Sequence, residues 1–152
     1  MQLTFSCSIP VAREPLFAFH TNPENLSVLL AEWPATEVVR TAGHIAIGAR
    51  TEVRERVGPV TLRCTFEHHV FEAPERFGER QVRGIFRCFE HVHEFHVEGP
   101  ECTRIVDKMD VRLPWWLGGA IADRLIAKPR LARIFALRAR AYERLAAEGR
   151  FR

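Results

Sequence analysis

The chain has 152 residues, 47% of them hydrophobic and 27% charged, with a formal net charge of +3. A chain of this size hides roughly 70% of the surface its unfolded form exposes, so it needs no staple to hold a core, and one domain over residues 1–152 is expected. No stretch nears the ~20 apolar residues of a membrane-crossing helix. Cys7, Cys64, Cys88 and Cys102 are scattered without a CxxC, which suits small buried hydrophobes in a reducing compartment. The start, MQLTFSCSIPVAREP, lacks the basic flank and apolar run of a signal peptide, so a cytoplasmic location is expected.

Taken in chain order, Gln2–Ile9 alternates, with Leu3, Phe5, Cys7 and Ile9 on one side, and reads as a half-buried strand closed by Pro10. Arg13–Phe19 reads as a short helix with Pro15 in its first turn. Asn22-Pro23 opens a second, with Asn22 as N-cap and Pro23 at the first position. Six strands follow: Thr36–Thr41, Ala49–Val57, Val60–Glu72, Phe77–Arg83, Phe86–Val97 and Glu101–Leu113. Turn chemistry separates them at Gly43-His44, Gly58-Pro59, Ala73-Pro74, Gly84 and Gly99-Pro100. Leu117 to Glu148 is helical, with Leu131, Ile134, Phe135, Ala141, Tyr142 and Leu145 on one stripe and Pro129 expected to kink or split it.

The expected fold is therefore α+β: a curved seven-stranded antiparallel sheet wrapped around a long C-terminal helix, with two short helices between strands 1 and 2. A sheet with one apolar face needs a cover, and the long helix is the only element large enough. A twisted sheet and a straight helix do not mesh along their whole length, so a cavity between them is the natural site for a ligand.

Alternation also assigns the polar residues. In Phe86–Val97, Phe89, His91, His93, Phe95 and Val97 share one face. In the next strand Thr103, Ile105, Asp107, Met109 and Val111 share one, which places Asp107 on the apolar side. Thr51, Val53 and Glu55 go together, as do Val60, Leu62, Cys64, Phe66, His68 and Val70. A turn at Glu98–Pro100 would put Asp107 across from His91, and a buried carboxylate beside an imidazole satisfies both.

Several of these residues also carry a resemblance. Pro74-Glu75-Arg76-Phe77, Gln81-Val82-Arg83-Gly84-Ile85-Phe86, then Phe89, His91, His93 and Phe95, followed by Asp107 and Leu113-Pro114, resemble the F-x-x-x-Q-x-x-G-P-F…W-x-H-x-H-x-F run of one bacterial branch of the START-like, polyketide cyclase/dehydrase (SRPBCC, helix-grip) superfamily. Ile85 stands where that branch usually has Pro, and Phe89 where it has Trp. The resemblance spans essentially the whole chain. It implies a lipid-like or aromatic ligand held between sheet and helix, in a family of carriers, sensors and a minority of enzymes. It also implies that the loop Leu113-Pro114-Trp115-Trp116-Leu117-Gly118-Gly119 helps gate the cavity.

The expected function is binding of a hydrophobic small molecule. Its lining is drawn from Val53, Phe66 and His68, from Phe89, His91 and Phe95, from Met109 and Val111, and from Trp115, Ile121, Leu125 and Phe135. Three readings of the polar cluster stay open: a polar pair satisfied within the sheet, an imidazole that orients the ligand, and catalysis of cyclase or dehydratase type by His91, His93 and Asp107. His91 and His93 are two imidazoles on one face that His68 or Glu55 could complete, but no Cys or His spacing matches a known zinc pattern, so no metal is expected, and no cofactor.

Charge is uneven. From Arg124 to Arg152 there are nine Lys or Arg against two Glu, while the rest of the chain holds thirteen basic and seventeen acidic side chains. The basic residues lie on one helix without a reading motif, so no nucleic acid is expected. They form either a solvated helix face or, with Trp115 and Trp116, a peripheral contact with a membrane surface. The chain is expected to be a monomer or homodimer.

Overall fold

A computed structural model describes residues 1–31, 33, 35–41 and 44–151. The elements are β1 (Gln2–Ile9), α1 (Arg13–Thr21), α2 (Pro23–Leu30), β2 (Thr36–Thr41), β3 (Arg50–Val57), β4 (Val60–Glu72), β5 (Arg76–Arg83), β6 (Cys88–Gly99) and β7 (Cys102–Arg112). A single turn at Trp115–Leu117, α3 (Gly119–Ala122), a wide π turn at Asp123–Ala127 and α4 (Lys128–Ala147) complete the chain. The expected Gly43-His44 turn falls partly outside the described residues, at Gly43.

All seven strands pair antiparallel in the order β1-β7-β6-β5-β4-β3-β2, a sheet curled around the C-terminal helix. The order follows from one long excursion. Strands β2 to β7 form a meander, and β1, set apart by α1 and α2, pairs with the last strand. Asn22 caps α2 through its side chain, 3.0 Å from the Glu24 amide. Pro129 sits in the first turn of α4, and the π turn just before it takes up the break.

Among the described residues the interior has two apolar clusters. The larger joins Ile9, Leu16, Phe17, Phe95, Ile105 and Tyr142. Phe17 of α1 wedges among Phe71, Phe77 and Phe95, with ring centroids 5.2–5.9 Å away. The smaller joins Met109, Val111 and Phe135, with Leu3 and Phe5 packed against it. Phe135 of α4 stacks on Phe5 of β1 at 4.4 Å, which seats the helix on the sheet edge.

Three expectations about facing need correction. The β6–β7 turn lies at Pro100-Glu101, so Asp107 pairs with His93 and His91 with Met109, a register two residues from the one expected. Parity survives a shift of two, so Asp107 keeps its face. An irregularity between His68 and Val70 in the β4–β5 ladder reverses the alternation, and Phe71 rather than Val70 packs into the core. Val97 is exposed, next to the irregularity that ends β6.

Candidate functional site

Between the sheet and α4 lies a cavity of about 250 Å³ with an almost wholly apolar wall. Strands β3 and β4 contribute Thr51, Val53, Cys64 and Phe66, and β6 and β7 contribute Phe89 and Met109. Leu26, Leu29 and Leu30 of α2 and Leu131, Ile134 and Phe135 of α4 close it. Two stretches of wall are polar: Glu55 with Thr36 and Arg130, and a larger one made of His68 from β4, Glu79 from β5, His91 and His93 from β6, His20 from α1 and Arg138 from α4.

Asp107 lies behind this polar wall, on β1's side, and lines a separate hollow with Phe5, Cys7 and Tyr142. Its Oδ1 is 2.9 Å from His91 Nε2, a buried hydrogen bond that runs diagonally across the β6–β7 ladder. His93 Nδ1 is 2.6 Å from the same oxygen but off the axis that a hydrogen bond needs. Arg138 Nη1 stands 3.8 Å from it. Arg138 also donates to Tyr142 Oη at 3.1 Å and lies 3.3 Å from His20 Nε2, while Tyr142 Oη bonds His20 Nδ1. On the cavity side, Glu79 Oε1 is 3.7 Å from His91 Nδ1 and Oε2 is 3.9 Å from His68 Nε2.

These contacts decide the charges. Burial opposes ionisation of Asp107, yet Arg138 and the two histidines outweigh it and hold the carboxyl well below its usual range. Burial likewise opposes a charged Glu79, but His91 pulls it down to about 2. His91 is raised despite burial, because Asp107 and Glu79 flank it. His93 is pushed down to about 4 by burial and then by His91. Burial, followed by His93 and Arg138, pushes His20 well down. The balanced arrangement is a proton on His91 between two carboxylates, with His93 and His20 neutral.

Of the expected wall residues, Val53, Phe66, His68, Phe89, His91, Met109 and Phe135 border the cavity, as does His93. Five do not. Phe95 is packed solid against Phe17 and Phe77. Val111 is fully covered in the smaller cluster. Trp115, Ile121 and Leu125 are 82%, 71% and 69% exposed. Gly118, at φ 96°, and the π turn rotate this segment so that Ala122, Asp123 and Ala127 face inward, and Asp123 accepts the Leu113 amide at 2.7 Å. The tryptophans therefore neither cap the core nor border the cavity.

Glu55 reaches the cavity, but it is taken up by Thr36 and Arg130 and by Trp33 Nε1 at 3.2 Å, so it joins no histidine. Glu79, His20 and Arg138 were missed. The spacing held a signal for two of them: Glu79 alternates with Phe77 and Gln81, and Arg138 lies seven residues after Leu131 and four before Tyr142. Gln81 and Gly84 of the quoted run have a structural task. Gln81 brackets the β5–β6 loop through Phe86 O at 2.8 Å, and a Cβ on Gly84 would stand 2.2 Å from Gln81 Oε1.

No protein-family model and no curated protein matches the sequence. Solved structures do match. The protein TTHA0849 of Thermus thermophilus superposes with a TM-score of 0.75 at 19% identity, over 97% of this chain and 99% of its own. Norcoclaurine synthase from Thalictrum flavum, a point mutant holding a transition-state analogue, gives 0.73 at 12% over 99% and 96%. The Zhui aromatase/cyclase from Streptomyces sp. R1128 gives 0.71 at 13% over 100% and 96%. The chain has the helix-grip fold. At these identities the likeness is one of fold, and the helix-grip chain's own residues must carry any functional reading.

Proposed function

We propose that this helix-grip protein binds one apolar small molecule between sheet and α4, with a polar group of the guest directed at His91, His93 and Glu79. The observation that carries the reading is the asymmetry of the wall: Val53, Phe66, Phe89, Met109, Leu131 and Phe135 are apolar, Glu55 is taken up by Thr36 and Arg130, and the histidines converge with Glu79 on one patch. Unbranched or aromatic skeletons with a hydroxyl or carbonyl at one end fit such a wall. His93, held neutral, can donate to or accept from that group. Native mass spectrometry of the purified protein before and after organic extraction tests this. A discrete mass lost on extraction supports it, and a bare chain that takes up no apolar compound opposes it.

A carrier or sensor needs nothing more. A cyclase-type enzyme would use His91 as acid, with Asp107 as the group that orients it, and solved neighbours of this fold include an aromatase/cyclase. His91→Ala separates the two: affinity for the guest changes by a small factor in a carrier, whereas turnover disappears in an enzyme.

A second reading concerns the surface. Trp115, Trp116, Ile121, Leu125 and Ile126 are all at least 61% exposed. Between Asp110 and Glu143 the one acidic residue is the buried Asp123, while Arg124, Lys128, Arg133 and Arg140 are exposed. Aromatic and aliphatic side chains amid exposed positive charge suit an anionic lipid surface. Co-sedimentation with phosphatidylserine vesicles, weakened by salt and by W115A/W116A, is the expected result. Binding indifferent to both would exclude this surface.

A further inference from the structure

We infer that Glu79, His91 and His93 form a binding site for one divalent transition-metal ion, with its open coordination positions toward the cavity. One donor atom from each residue lies within 4.8 Å of the others. The separations are informative in themselves. Glu79 Oε1 to His91 Nδ1 is 3.7 Å and Glu79 Oε2 to His68 Nε2 is 3.9 Å, both too long for a hydrogen bond. Two donors that each stand about 2.0–2.2 Å from a shared tetrahedral ion are about 3.3–3.6 Å apart, so these gaps lie close to the spacing of ligands around an ion.

Two further observations point the same way. His68 is 2% exposed, borders the cavity, and neither of its ring nitrogens has a hydrogen-bond partner among the described residues. A buried imidazole without a partner is costly, and although His68 lies outside the three-donor group, an atom bound at an open position of the ion would pair with it. Asp107 takes His91 Nε2 at 2.9 Å from behind, which leaves Nδ1 directed at Glu79. A carboxylate on the far nitrogen of a ligating histidine fixes its tautomer and raises its basicity. Imidazoles with one carboxylate select zinc, iron(II), cobalt or nickel over magnesium and calcium. The proposal concerns the polar wall alone and stands whether or not an apolar guest binds.

Cobalt(II) titrated into untagged, chelator-treated and extracted protein tests it through the visible d–d absorption. Saturation at one ion per chain is expected, with zinc displacing cobalt. Glu79→Gln and His93→Ala should each weaken binding at least about tenfold, and Asp107→Asn about 10–100-fold with the band retained. His96→Gln, which alters an exposed histidine paired with Glu94, should change nothing. Absence of a saturable band, or E79Q binding like the wild type, overturns the site. Should those variants fail to fold, NMR of the wild type decides. Cobalt must perturb the His91 and His93 ring protons before those of His44 and His96, and the reverse order overturns the proposal.

Discussion

Strands β1, β6 and β7 each run through two different interiors. At one end Ile9, Phe95 and Ile105 meet α1 and the C-terminal half of α4 and pack solid around Phe17 and Tyr142. At the other, Leu3, Phe89 and Met109 belong to a cluster that packs Phe135 and leaves a void beside it. The strand sequences are alike in their alternation, so the strands do not decide which end is hollow. The filler is α1: it drives Leu16, Phe17 and Phe19 into one end, while α2 merely roofs the other. The charged cluster sits at the boundary, with His93 next to Phe95 in its face and Asp107 between Ile105 and Met109.

That contrast can be broken by mutation. Phe95→Ala at the solid end should cost about 3–5 kcal/mol in urea unfolding. Phe66→Ala, whose ring already borders a void, should cost under about 2 kcal/mol. Equal losses at both ends would mean that the hollow end is as tightly packed as the solid one. At the boundary, Asp107→Ala strands the buried Arg138 and should cost about 3–5 kcal/mol, whereas Asp110→Ala on the exposed face of β7 should cost under about 1 kcal/mol.

The groups around Asp107 should also show at alkaline pH. Burial, then Asp107, pushes the Cys7 thiol up from 9.0 to about 11, and burial pushes the Tyr142 hydroxyl upward too. The unfolded chain gives up these protons first, so stability is intact below pH 9 and is lost as pH rises through 11. Cys7→Ala should flatten the first part of that fall, by on the order of 1 kcal/mol at pH 11. A wild-type curve flat from pH 8 to 11 would contradict the burial assigned to Cys7.

Much of the fold was legible because alternation and turn residues are local. Strand β1, the Asn22-Pro23 cap and the break at Pro129 follow from a few neighbouring side chains. The facing of Asp107 was legible for the same reason, since an error of two in register leaves the face unchanged. What local pattern cannot reveal is where an apolar stripe runs out of cover. Ile121 and Leu125 keep helical spacing, yet the π turn rolls them into solvent. Nor does it name the partner of an inward charge. Glu79 and Arg138 fall on inward spacing, but their partners, His91 and His20, come only with β6 and α1.

The central claim is that the hollow end admits a guest, and filling it from within is the most direct test. Titrated with the neutral fluorophore N-phenyl-1-naphthylamine, the wild type should bind saturably at one site. Val53→Trp, which places an indole in the void, should weaken binding at least about tenfold while leaving the fold intact. Equal binding by both proteins, or none by either, would contradict the account.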